Sequence, residues 1–160
     1  GLETPKVIIG EGWLVARFPR IHCTYFGPSV RAEGFDAHID QLANDIDQRS
    51  SYERVGVLYY VPESATIDST RRRRIAKVLT ERRNKLERTT AAYAMATSSP
   101  FVRGVLTTVF WMAPPGYANK MVETPRQGLA FIGQHIHDID QAGILDTFEG
   151  LLLEHQRQAS

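Results

Sequence analysis

Three short runs of β-branched and aromatic residues open the chain, and apolar residues at helical spacing follow them. Lys6–Ile9, Trp13–Phe18 and Ile21–Phe26 are separated by Gly10-Glu11-Gly12 and by Pro19-Arg20, a pattern that predicts an antiparallel start to a sheet. Gly27-Pro28 stops it. Phe35, Ile39, Leu42 and Ile46 then recur on one side of a predicted helix over 34–49, with Asp36, Asp40, Asp45 and Asp47 on its other sides. The run RVGVLYYV over 54–61 is apolar enough for burial on both faces and predicts a central, parallel strand closed by Pro62. From there strand and helix patterns alternate to the end of the chain, which predicts an α/β sheet with a β-rich N-terminal edge.

The segment 91–112, AAYAMATSSPFVRGVLTTVFWM, is the centre of this pattern. Its first seven residues predict a strand covered on both sides. Ser99 can cap the next helix, and Pro100 falls at the first helical position, where a missing N–H costs nothing. In that helix Phe101, Val105, Val109 and Met112 form one apolar stripe and Val102, Leu106 and Phe110 a second, with Arg103 the lone charge before Pro114-Pro115-Gly116. One stripe packs on the sheet. The other, with Arg103 and Trp111 beside it, is expected to meet a neighbouring helix, a second copy, a partner or a lipid. A short strand over 119–122, a helix opened by Pro125 and another over 144–153 complete the expected elements.

Composition changes this picture in two ways. The 160 residues, with two Trp and seven Phe, suffice for one well-filled core without disulfides, and the single cysteine, Cys23, sits in a strand as a small buried hydrophobe suited to a reducing compartment. No run approaches the ~18 apolar residues of a membrane span, and the expectation is a cytoplasmic protein. The net charge of +1 conceals an asymmetry: between residues 71 and 88 nine basic residues, beginning with Arg71, Arg72, Arg73 and Arg74, face only two acidic ones. That stretch reads as a basic helix, capped by Asp68, Ser69 or Thr70 and keeping Ile75, Val78, Leu79 and Leu86 for the core.

The order of elements, the Gly27-Pro28 break and the strand–Ser-Ser-Pro–helix segment resemble the STAS/SpoIIAA-like group of small bacterial regulatory domains, over roughly residues 13–136. The resemblance implies a STAS-like single domain with a mixed sheet: antiparallel N-terminal strands, parallel βαβ units, helices packed on the sheet, a core at about 6–137 and a C-terminal helical extension at 138–156. It also aligns VLYYVPESATIDST, residues 57–70, with that group's strand–loop–helix stretch, which makes Ser69 a phospho-acceptor position.

Other readings stand beside these. The plainer reading of Ser69 is a helix cap. Arg71 to Arg74 form either an anion-attracting surface or a solvated helix face, and without interleaved aromatics they argue against nucleic acid. His135 and His137 lie two apart, about 200° around a helix, and cannot share one metal ion there. Tyr59 and Tyr60 either face a pocket or carry their hydroxyls to the surface. No nucleophile–base set, cofactor motif or metal cluster emerges. The expected function is a non-enzymatic regulatory module that binds another protein or itself through Arg71 to Arg74, Val102, Arg103, Leu106, Phe110 and Trp111. The alternative is a carrier of a lipid or small hydrophobic ligand, with an acyl chain at the apolar helix and its phosphate at the basic one.

Overall fold

The computed structural model, which describes residues 3–64 and 66–159, is a six-stranded mixed sheet with helices on both faces. Strands β1 (Lys6–Ile9), β2 (Trp13–Phe18) and β3 (Ile21–Phe26) are antiparallel, while β4 (Val55–Tyr60), β5 (Thr90–Ala96) and β6 (Ala118–Val122) continue parallel to β3. The spatial order follows the chain order. Parallel neighbours need crossovers, and here each one is helical. Helix α1 (Ala32–Gln48) joins β3 to β4, α2 (Ser69–Glu81) and α3 (Arg83–Thr89) join β4 to β5, and α4 (Pro100–Met112) joins β5 to β6. Helices α1, α2 and α4 pack on one face of the sheet, as consecutive crossovers of one hand require. Helices α5 (Pro125–Gly133) and α6 (Gln141–Ala159), which follow the last strand, cover the other.

Local chemistry sets the helix starts. Ser99 accepts from the Val102 N–H with Pro100 inside the first turn, and Thr124 and Gln127 form a reciprocal capping box ahead of α5. At α2 the cap is Asp68, which accepts from the Arg71 N–H at 2.9 Å, so Ser69 is the first helical residue and does not cap. The basic stretch is two helices rather than one. They part at Arg82 (φ −110°, ψ 17°), whose guanidinium holds Asp47 on α1.

Side-chain alternation along the strands divides the core. Leu14, Ala16, Cys23, Leu58, Ala92, Ala94 and Ala96 point toward α5 and α6, where Phe148 and Ile132 are fully buried. Val15, Tyr59, Tyr93 and Met95 point toward α1, α2 and α4. The last helix belongs to the core as well: Ile144, Leu145, Phe148 and Leu152 of α6 are buried over the antiparallel part of the sheet. Among the described residues no helix is long and apolar enough to cross a membrane.

Candidate ligand site

The face under α1, α2 and α4 is incompletely filled. A hollow of about 110 Å³ lies between these helices and β4–β5, walled by Ile39, Val57, Met95, Val102, Val105 and Leu106 among others. Its size is on the scale of the roughly 150 Å³ engineered cavities that admit benzene, whereas close-packed interiors leave few voids larger than a water molecule.

A row of rings crosses its floor. The strand register sets Val57 beside Tyr93 and Tyr59 beside Met95, and alternation aims all four the same way. His38 of α1 stands 5.7 Å from Tyr59, Tyr59 lies 6.2 Å from Tyr93, and Tyr93 lies 6.5 Å from Tyr117, which precedes β6. Phe110 of α4 meets Tyr93 edge-on at 5.9 Å. Tyr59 and Tyr93 lie deep in the fold yet keep some accessible surface, and that surface is the wall of the hollow. Burial raises the phenol pKa of all three tyrosines, that of Tyr117 to about 12, and keeps them protonated donors.

Besides the three tyrosines, His38 and Arg49 reach the hollow. His38 is buried and shares a hydrogen bond between Nε2 and the Tyr59 hydroxyl; its Nδ1 has no partner among the described residues. Desolvation pushes its pKa down to about 3, so the ring is neutral. Arg49, just past the end of α1, has a side chain only 6% exposed. Its Nη1 donates to Thr90 Oγ1 at 3.2 Å, its Nη2 lies 3.6 Å from Asp45, and its Nε has no partner among the described residues. Burial lowers the guanidinium pKa against the opposing pull of Asp45, yet an arginine stays charged. Asp45 also meets Arg17 at 3.2 Å and His22 at 3.3 Å. Burial alone would raise its carboxyl; His22, Arg49 and Arg17 overcome that and hold it below the ordinary value.

The residues expected to form a partner surface are distributed otherwise. Val102 and Leu106 are buried and line the hollow, and Phe110 is half-buried against Tyr93, so this stripe of α4 is closed within the chain by α2 and the sheet. Leu106→Glu would place a charge in the interior rather than disrupt an interface. Arg103 is half-buried near the Thr97 carbonyl, and Trp111 is exposed. The basic run is not a free cationic face either. Arg74 pairs with Asp36 and Asp40, Arg71 with Asp68, and Arg72 lies over the Phe101 ring, leaving Arg73 the exposed member of the four. The acidic sides of α1 and the basic sides of α2 and α3, far apart in sequence, neutralise one another in space. Ser69 is exposed at the start of α2. His135 and His137 are exposed beyond α5.

Pattern reading passed over His38, Arg49, Thr90 and Tyr117. The first two were within reach: His38 is three residues from Phe35 and four from Leu42, on the apolar stripe of α1, and Arg49 is three beyond Ile46. Thr90 and Tyr117 come to the hollow through strand pairing, which has no local signature. Set against family models, curated proteins and solved structures, the chain matches none.

Proposed function

We propose that this chain is a binding domain for a small, largely apolar ligand, taken up between the sheet and helices α1, α2 and α4. The hollow carries this reading: an apolar chamber with a few convergent polar groups, His38, Tyr59, Tyr93, Tyr117 and Arg49, is the usual form of a small-molecule site. None of these groups makes a nucleophile–base pair, and binding alone accounts for the arrangement. The lone buried Cys23 suits a domain working in the cytoplasm.

A one-ring probe such as toluene should raise the melting temperature progressively with its concentration, the added stability growing with the logarithm of the excess over Kd and reaching about 2.7 kcal/mol at a hundredfold excess. Val57→Phe, which puts a ring into the hollow, should leave the fold within about 1.5 kcal/mol of wild type and remove the toluene shift. A wild-type protein that ignores toluene, with Val57→Phe strongly destabilised, would show a packed interior and end this reading.

A second reading, regulation through protein contact in the manner of the STAS/SpoIIAA-like group, draws on a different observation. Trp111 (79% exposed), Phe101 (47%) and Met112 (42%) leave large apolar groups on the outside of α4. Under it, Trp111→Ser lowers self-association or partner binding in sedimentation velocity without lowering the melting temperature; unchanged sedimentation rejects it for self-association.

A further inference from the structure

The polar end of the hollow is unbalanced in charge. Arg17 and Arg49 converge on a single carboxylate, Asp45, and His22 adds a third basic group. Glu53 lines the outer crevice beside them but is exposed and forms no ion pair with them. Arg49 is the member that reaches inward. It lines the apolar hollow together with Thr90 and Tyr117, and its interactions with Thr90 Oγ1 and Asp45 leave the buried guanidinium with an unused donor. A buried cation shared with a second arginine over one carboxylate is incompletely compensated, and such a site gains from an added anion. The phenols add to this. The hydroxyls of Tyr93 and Tyr117 have no hydrogen-bond partner among the described residues, and burial keeps both protonated and able to donate. Hydrogen bonds to an ionised acceptor are about twice as strong as neutral ones, so unused donors beside a cation favour a carboxylate over a neutral oxygen.

We infer that the ligand is a small carboxylic acid with an apolar body about one ring in size, its carboxylate directed to Arg49, Tyr93 and Tyr117 and its body held among Val57, Val105 and Leu106. This inference rests on the proposed binding function and adds to it the chemical class of the ligand. Arg49 is the one Lys, Arg, Asp or Glu side chain among the described residues that line the hollow, which argues against ligands charged along their length. The arginines of α2 take no part: none of Arg71 to Arg74 lines the hollow, and Arg71 and Arg74 are paired with acids.

Titration calorimetry with phenylacetate, 2-phenylethanol and toluene tests this. Phenylacetate should bind wild-type protein about tenfold or more tightly than 2-phenylethanol, the difference expected for one charge-assisted contact. Arg49→Met should erase that preference, read as the ratio of the phenylacetate and 2-phenylethanol dissociation constants within the variant. The Tyr93→Phe/Tyr117→Phe double variant keeps every ring and should weaken phenylacetate several-fold relative to toluene measured on the same variant; it carries the test if Arg49→Met does not fold. Equal affinity for the acid and the alcohol, with toluene still bound, overturns the anionic end and leaves the binding site. Failure of toluene to bind removes the site and the inference with it.

Discussion

The two faces of the sheet are built from the same strands and packed in opposite ways. Toward α5 and α6 the strands present small residues, Ala16, Ala92, Ala94 and Ala96, and the helices lie close. A Cβ on Gly128 would come within 2.5 Å of Leu58 and one on Gly56 within 2.4 Å of Ile132, so even a methyl group has no room. Toward α1, α2 and α4 the intervening residues are Val57, Tyr59, Tyr93 and Met95, far larger, and yet this is the face with the hollow. Large rigid rings standing on a sheet hold helices away from it, whereas alanines let them settle. Alternation with period two thus gives one strand such as TAAYAMA a close-packed side and a space-making side.

The contrast can be broken most directly on the tight face. Phe148→Ala should cost about 3–5 kcal/mol in urea unfolding with an unchanged m value, because the surrounding helices cannot collapse into the gap. A cost near 1 kcal/mol would show that α6 is loosely held. Gly56→Ala should cost about 1–3 kcal/mol by overpacking against Ile132, Ile21 and Ile136, although the same change in an open strand stabilises. A neutral result would mean that α5 rides higher than its contacts suggest.

On the other face the expected signature is sensitivity to acid. His38 is neutral in the fold down to about pH 3, and the ordinary imidazole value is near 6.5. Between these values the unfolded chain holds one proton more than the folded one. The stability this group contributes is therefore complete above pH 6.5 and is lost as the pH falls toward 3. Melting temperatures recorded from pH 7 to 4 should drop less steeply for His38→Phe than for wild type; parallel curves would place the imidazole in water. The smallest effect lies on the outer layer of this face, where ion pairs help to join α1 to α2. Arg74→Ser should cost a few tenths to about 1 kcal/mol, more in low salt, and Arg73→Ser nothing measurable. Equal effects from the two would show that the bridge to Asp36 and Asp40 adds no stability.

The elements themselves were legible because their signals are local. The three opening strands, the Ser99-Pro100 start of α4 and the Pro125 start of α5 follow from runs, caps and breakers within a few residues. The site was legible only in pieces. Tyr59 could be read as facing a pocket, but that its neighbours are Tyr93, His38 and Arg49 depends on register between strands and on the seat of α1. Which of the expected covers the second stripe of α4 meets was not legible for a related reason: periodicity shows that Val102 and Leu106 share a side, and α2, arriving from elsewhere in the chain, decides that a neighbouring helix covers it. Charge misled in the same manner, since nine basic residues in one stretch say nothing of Asp36, Asp40 and Asp47, which α1 brings alongside.

Strand order equal to chain order has a consequence for how the molecule is made. Each strand pairs with the one before it, so the sheet can grow in step with synthesis and no early strand waits for a distant partner; contacts of short sequence separation also favour rapid folding. The helices over the hollow are laid down along the way, between successive strands. The alanine face differs: its cover is residues 125–159, which leave the ribosome after all six strands. Until they emerge, Leu14, Ile21 and Leu58 stand uncovered on the sheet, and a nascent chain that has released the strands but not residues 125–159 exposes this apolar face to aggregation.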